Sequence, residues 1–393
     1  MIEDAEFEAI AQEDIQCDLR SLFEGAVKVA LEAMLEEEVR KLVGGIKWAR
    51  LGNRKDVRNG TYLRGLMTSM GHIEIAVPRT RESGSPTGVI GRYERRQGEI
   101  DDLITESYVN GVSTRKIADL TEALLGKRVS RSTVSRLNKS LDVEVGEFQK
   151  APLDAPIQYL YLDATFIDAR WARKVENVSA LVAYGVDRNG DRRLLAITLG
   201  SEESAESWSE LLRQLIDRGL HGVELVIADA HKGIETAVRH ALPEAKQQRC
   251  VVHFQRNITA NVPQRLKARL AREVWKIFMA PSVAEAVKRR DDFASRFGRE
   301  LPEAVACLKA GFAAATQFFA FPSSHWKKIR STNGLERFHR EIKRRTDSVG
   351  AFPDRASALR LIIAVAIRAS RPWKTRRYIG ALALKQEKIQ AVS

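Results

Sequence analysis

The chain is short of cysteine, of export signals and of long apolar runs, and each shortage excludes something. Three cysteines in 393 residues, Cys17, Cys250 and Cys307, cannot make a disulfide framework. The longest uninterrupted apolar run, Leu361 to Ile367, is far below the roughly 20 residues a membrane-spanning helix needs. The N-terminal stretch carries Glu3, Asp4, Glu6 and Glu8, and lacks the basic-then-apolar pattern of a secretory signal. A cytoplasmic protein with no membrane partner is the expectation. Internal repeats and low-complexity tracts are also missing. The remaining composition, 44% hydrophobic and 29% charged, is ordinary for a globular chain, and the length suits two or three domains.

Charge is distributed unevenly. Residues 1–40 hold 3 basic and 12 acidic residues, a net of −9, so the other 353 carry +22 of the chain's +13 total. Residues 322–393 alone hold 17 basic against 5 acidic residues, or +12. A basic body favours a polyanionic partner, because neutralising phosphates releases counterions.

The first 40 residues read as a helix, with Phe23, Val27, Ala30, Met34 and Leu35 as its apolar stripe and Glu36, Glu37 and Glu38 solvated. Gly44-Gly45, Gly52-Asn53 and Asn59-Gly60 read as turns, and His72 to Val77 as a short strand ending at Pro78. These make an N-terminal region of residues 1–98. Residues 99–150 turn helical. Ile117, Leu120 and Leu124 form one stripe. After Gly126, Ser130 can cap a second helix carrying Val134, Leu137 and Leu141. Such a pair fits helix-turn-helix geometry, with Arg131, Ser132, Ser135, Arg136 and Lys139 turned toward DNA. A plain packing hairpin has the same pattern, and this segment alone leaves both open.

Pro152 and Pro156 mark entry to a third region. Gln158 to Asp163 is an apolar run closed by a carboxylate. Val178–Val186 and Leu194–Leu199 flank the turn Asp187-Arg-Asn-Gly190, Ser201 can cap a helix to Arg218, and Val223–Ala228 is closed by Asp229. Gln247–Val252 is a further strand candidate. This order argues for a mixed sheet covered by helices, the order of a ribonuclease-H-like core, over 151–261 and 322–360. Residues 262–321 read as a helical insertion, and 361–393 as a basic C-terminal tail. The fold class is therefore α/β: a ribonuclease-H-like catalytic core with a helical insertion, preceded by a mostly helical DNA-binding region.

Three carboxylates stand out by position: Asp163 and Asp229 at strand ends, and Glu336 in Ser331-Thr-Asn-Gly-Leu-Glu-Arg-Phe-His-Arg-Glu-Ile-Lys-Arg-Arg345. Hard divalent ions take anionic oxygen ligands, and two such ions about 4 Å apart can serve both sides of a phosphate in displacement. Arg337, Arg340, Lys343, Arg344 and Arg345 would hold the strand. Taken singly, each acid has a plainer role as a strand-end, cap or i,i+4 ion-pair residue. Together, in this order, they point to phosphoryl transfer.

The chain resembles the Mutator-type insertion-sequence transposases of bacteria, within the Asp-Asp-Glu recombinases. The motifs are Tyr161-Leu-Asp-Ala-Thr165, Ile227-Ala-Asp-Ala-His-Lys-Gly233, Gln248-Arg-Cys-Val-Val-His253 and Ser331 to Glu336, continuing to Lys343-Arg-Arg345 and Ala351-Phe-Pro353. Asn59-Gly60 and Val77-Pro-Arg79 add to the likeness, which covers nearly the whole chain. The resemblance implies that Asp163, Asp229 and Glu336 are the catalytic and metal-binding triad, with magnesium or, in its place, manganese in a two-metal site. It further implies recognition of terminal inverted repeats and target DNA, a homo-oligomer of two or more copies when element ends are synapsed, and association with the nucleoid when bound to DNA. Gly334 and Phe338-His339 depart from the family, where larger aliphatic residues and asparagine are expected. Cys250-Val-Val-His253 matches a family signature. With no second pair to complete a zinc site, His253 is assigned beside the active site as a DNA contact and Cys250 to packing.

Two other classes remain as alternatives: another ribonuclease-H-like nuclease, such as a junction resolvase, and a non-catalytic DNA-binding regulator. A serine recombinase is disfavoured, since no serine and arginine cluster lies near the N-terminus.

Overall fold

The computed structural model describes residues 3–48, 55–86, 88–91, 94–171, 174–200, 203–260, 262–349 and 352–380. It divides into two units, Met1–Ser140 and Leu141–Ser393.

In the first unit, helix α1 (Glu3–Val43) lies on a hairpin of β1 (Arg58–Thr68) and β2 (Gly71–Thr80). Leu35, Val39 and Val43 are buried at i,i+4 spacing, and Val27 and Leu31 continue that stripe toward the hairpin residues Leu66, Ile73 and Ile75. Phe23 and Met34, expected in the stripe, are exposed. The Glu32 carboxylate accepts a hydrogen bond from the Ala76 amide on β2, which fixes the rotation of the helix. Asn59-Gly60, read as a turn, instead lies in β1. The pairing shifts register between Arg58 and Thr61, and Gly60 takes φ 74°, so the glycine marks a bulge within the strand. Helices α2 (Gly98–Val109), α3 (Thr114–Leu125) and α4 (Arg131–Leu137) follow.

The second unit begins with α5 (Leu141–Lys150), which packs on a late helix of the same unit. The segment 99–150 is thus split after Ser140. Strands β3 (Ile157–Trp171), β4 (Lys174–Asp187) and β5 (Arg192–Gly200) form an antiparallel meander. Helix α6 (Ala205–Asp217), β6 (Leu225–Ala228), α7 (Lys232–Ala241) and β7 (Lys246–Arg249) complete a mixed five-stranded sheet of order β5-β4-β3-β6-β7. The helix cap expected at Ser201 lies outside the described residues, and Ser204 caps α6 by accepting from the Ser207 amide. Gln247–Val252 is strand only to Arg249, because Val251 already opens a helix.

Side chains alternate across β3 with period two. Leu160 and Leu162 enter the core beneath α6 and α7, among Trp208, Leu211 and Val238. Tyr159, Tyr161 and Asp163 share the opposite face.

Helices α8 (Val251–Ile258), α9 (Gln264–Phe278), α10 (Val283–Phe297) and α11 (Pro302–Ala315) follow. The rings of Phe254, Phe278 and Phe312 join α8, α9 and α11. No strand occurs between 262 and 321 among the described residues. The short α12 (Trp326–Ile329) leads to α13 (Asn333–Thr346) and α14 (Arg355–Ser370), both packed on β3. Residues 361–393, expected as a tail, are core as far as Ala366. Leu361, Ile362, Ile363, Ala364, Val365 and Ala366 are all buried, as an apolar run on every side of a helix requires. No described helix is long and apolar enough to cross a membrane.

Candidate active site

Register places the first two acids. In the parallel pairing of β3 with β6, Tyr161 opposes Ile227. Asp163 and Asp229 each lie two residues further on, so both emerge at the same end of this parallel pair, Asp229 just past the end of β6. Asp163 does not close its strand as expected. β3 continues eight residues to Trp171, because β4 pairs with it along its whole length.

The third acid arrives through a cysteine. The Cys250 amide donates to the Ala228 carbonyl at 2.7 Å, just past β7, and Cys250 precedes the first turn of α8. Its Sγ accepts hydrogen bonds from the amide and hydroxyl of Thr332, both at 3.3 Å. Thr332 in turn precedes the first turn of α13. This buried junction ties the starts of α8 and α13 together, one turn before His253 and Glu336. Cys250 is therefore a positioning residue as well as a packing one.

His253 stands between the acids, with Nδ1 3.9 Å from Asp229 Oδ2 and Nε2 3.8 Å from Glu336 Oε1. Asp163 approaches from the sheet, and His339 Nδ1 lies 3.5 Å from its Oδ2. Arg256, one turn beyond His253, holds Glu336 at 2.7 Å. Among the described residues no three acidic, histidine or cysteine side chains close to metal-binding distance.

The electrostatics explain how these groups coexist. Burial pushes Asp163 up to about 7, and Asp229 and Glu203 add to the rise, while the charge of His253 opposes it. His253 is pushed up to about 9 by its hydrogen bond with Cys250 and by the charges of Cys250, Asp229 and Asp163, against the effect of burial. Burial and the neighbouring His253 charge hold His339 down to about 4, so its ring is neutral. Burial also raises Glu203.

The other assigned residues are dispersed. Ser113 and Ser130 cap α3 and α4 by accepting from the Lys116 and Thr133 amides, and Gly126 ends α3 at φ 68°. Arg131, Ser132, Arg136 and Lys139 are exposed, while Val134 is buried. The α3 stripe is rotated from the expected one. Ile117, Ala118, Thr121 and Leu125 are buried, and Leu120 and Leu124 are exposed. Thr121 makes the difference, because its hydroxyl accepts from the Val129 amide and fixes the connection to α4. On α13, Arg344 and Arg345 both pair with Glu341. Arg340 and Lys343 are exposed and make no ion pair among the described residues.

Both departures from the family motif have structural counterparts. A Cβ at Gly334 would lie 2.8 Å from the Tyr184 hydroxyl and 3.0 Å from that of Tyr378, so a larger residue would have to displace these side chains. Phe338 packs against Trp373, and His339 reaches Asp163. The Phe352 of the last motif is bonded to the end of β3 through both Arg170 and Asp168, while Ala351 lies outside the described residues. Arg256 and Glu203 had no distinguishing signal in the sequence, while Thr332 lies within the Ser331 to Glu336 motif without its bond to Cys250 being legible there. His339 did, as the motif's odd residue.

The family model for Transposase, Mutator family, matches residues 2–376. The chain belongs to the Mutator family of transposases. It is 34% identical to the transposase for insertion sequence element ISRM5 of Rhizobium meliloti, over 92% of this chain and 91% of that one. It is also 34% identical to the transposase for insertion sequence element IS256 in transposon Tn4001 of Staphylococcus aureus, over 92% of this chain and 96% of that one. Among solved structures, a chain of a simian T-cell lymphotropic virus intasome complex aligns at TM-score 0.17 and 10% identity, over 47% of this chain and 69% of that one, which is too slight to bear on the fold. For a Mutator transposase, the gap between Asp229 and Glu336 is filled by α7 to α12, and the sheet and α8 bring the two back together around His253.

Proposed function

We propose that this transposase nicks DNA at the ends of its element and joins the released 3′-hydroxyl to target DNA, using Asp163, Asp229 and Glu336. The observation that carries the reading is the approach of Asp229 and Glu336 to one imidazole, His253, whose charge also acts on Asp163. The strand order, with β3 central, a meander on one side and two parallel strands on the other, supports the ribonuclease-H-like core that the family resemblance implies.

The donor set fits hard divalent ions. It offers carboxylate oxygens, and Asp163 is pushed up chiefly by burial, with the charges of Asp229 and Glu203 adding to the rise. Asp163, Asp229 and Glu336 would hold magnesium or manganese, which when bound polarises the phosphate and lowers the pKa of water. The chain's own residues do the rest. His253 sets its imidazole between Asp229 and Glu336, and Arg256 holds Glu336 on that side of the site. Neutral His339 stands against Asp163 and adds no charge there. In the first step a water oxygen bonds to phosphorus and the 3′-oxygen leaves with a proton. In the second that 3′-hydroxyl attacks a target phosphodiester, displacing another 3′-oxygen.

Arg131, Ser132, Arg136 and Lys139 on and beside α4 form the face proposed to read the inverted repeats, in the manner of a helix-turn-helix. Arg340 and Lys343 are proposed to hold backbone phosphate near the cut. Synapsis of two ends calls for at least two copies of the chain. The test is incubation of the purified protein with labelled element-end DNA and magnesium. Nicked and joined products are expected, and end binding with neither product in magnesium or manganese would leave the regulator reading standing.

A further inference from the structure

The far side of α13 carries a second feature that no residue of the triad touches. Gly334, Arg337, Phe338 and Glu341 recur at i,i+3 and i,i+4, and so share a face turned away from Glu336 and His339. They line an open cleft of about 850 Å³ closed by the start of β5, by α12 and by residues 369–378.

Its charge is one-sided. Arg192, Lys327, Lys328, Arg337, Arg376 and Arg377 line it, and none makes an ion pair among the described residues. The carboxylate in its wall, Glu341, is already held by Arg344 and Arg345. Lys328 is depressed by burial and by the charges of Arg192 and Lys327, as crowded cations are. The rings of Phe338, Trp373 and Tyr378 line the same cleft. The Arg192 guanidinium lies 3.6 Å from the Trp373 ring centre and 4.7 Å from that of Tyr378, while Lys328 caps Tyr378 at 4.4 Å.

Duplex backbone would need only the cations, and a small anion would need neither the rings nor this volume. Cations beside the half-exposed rings of Trp373 and Tyr378, with Phe338 buried behind them, match the chemistry of single-stranded nucleic acid, in which phosphates track the charges and unpaired bases lie on the rings. We propose that this cleft binds a stretch of single-stranded DNA, with a base against Trp373 and flanking phosphates on Arg337, Arg376 and Arg377. A helix with side chains is about 10 Å across. The strand would thus lie within a few nucleotides of the carboxylates on the other side of α13. The proposal rests on the transposase reading for the choice of DNA as the polyanion.

The test uses the full-length chain in EDTA, so that cleavage plays no part, with a fluorescent twelve-residue thymidine oligonucleotide and a duplex of equal length as probes. Trp373→Leu is expected to weaken the single strand on the order of 5- to 150-fold, the range for one lost base stack, and the duplex by less than about twofold. Trp373→Phe, which keeps a ring, should recover most of that loss. Arg376→Gln with Arg377→Gln, at exposed positions, should lower the salt slope for the single strand by about 1.4. Equal losses for the two probes would overturn base binding. An unchanged salt slope in the arginine double variant would overturn the cleft as a DNA site. Asp229→Asn serves as the separator. Single-strand affinity that persists in this variant and follows Trp373 upholds the cleft even if the unsubstituted protein never nicks DNA, whereas nicking with no Trp373 dependence removes the cleft and leaves the catalytic reading intact.

Discussion

Gly334 passes so close to Tyr184 that a Cβ on the glycine would lie 2.8 Å from the tyrosine hydroxyl. Tyr184 is fully buried and stacked on Tyr161 with ring centres 4.3 Å apart, so it has little room to retreat. Alanine would favour the helix by up to about 1 kcal/mol, but overpacking a filled site costs about 1–3 kcal/mol. Gly334→Ala should therefore be destabilising by about 1 kcal/mol, and Gly334→Val by more. Tyr184→Phe removes the nearer oxygen and should recover at least half of the loss in a denaturant double-mutant cycle. Additive losses would show that the two residues do not meet.

The cations of α13 divide into engaged and available ones. Arg344 donates to Glu341 at 3.0 and 3.1 Å, whereas Arg340 and Lys343 have no carboxylate partner among the described residues. Each phosphate contact removed from duplex binding lowers the salt slope by about 0.9. Neutralising Arg340 and Lys343 together should flatten the slope by about 1.8, and Arg344→Gln should leave it within about 0.3. The reverse order in a salt titration would show that the pairing with Glu341 yields to DNA.

Arg136 is exposed on α4 while Val134 anchors that helix in the unit's core. If Arg136 reads a base, Arg136→Ala should cost about 1–3 kcal/mol for the inverted repeat and much less for random duplex. Equal weakening of both assigns it to phosphate, and no change in either removes α4 from the interface.

His339 gives the folded chain a pH dependence of known sign. Its ring is held down to about 4 against an ordinary value near 6.5. Between those values the unfolded chain binds a proton that the folded chain does not, so this contribution to stability is full at pH 7 and shrinks as pH falls through the window. Asp163, held up at about 7, acts in the opposite direction over the same range, so the comparison must be differential. From pH 7 to pH 5 in EDTA, the unsubstituted chain should lose about 2 kcal/mol more than His339→Gln, read from urea midpoints. Parallel curves would show that the His339 ring titrates alike in the folded and unfolded chain.

How much of this was legible in the sequence depends on how many faces of each element are buried. Leu225 to Ala228 is buried on both faces, so it reads as a continuous apolar run with Asp229 at its end. The distal half of β3 alternates, with Ile167 and Ala169 buried and Phe166 exposed, and was invisible as a continuation of the apolar run before Asp163. The run 361–367 was legible as apolar, but its place in the core was masked by the cations around it. The rotation of α3 turns on the hydroxyl of Thr121, a polar residue that a search for apolar spacing passes over. Of the candidate site, Asp163 and Asp229 were legible because each follows an apolar run, and Glu336 because it follows them in order within a run of cations. Cys250, Thr332 and Arg256 owe their roles to contacts made across distant segments, which no local pattern records.

The most direct test of the central claim is single-turnover strand transfer by Glu336→Gln with pre-nicked element-end DNA, magnesium and a target duplex. Glutamine keeps the length of the side chain and removes its charge, so end binding, which rests on Arg and Lys, should stay within about twofold. The account predicts that joining falls by at least about a thousandfold, about 4 kcal/mol of transition-state stabilisation. Joining at a near-normal rate by a protein that binds the ends normally would contradict it.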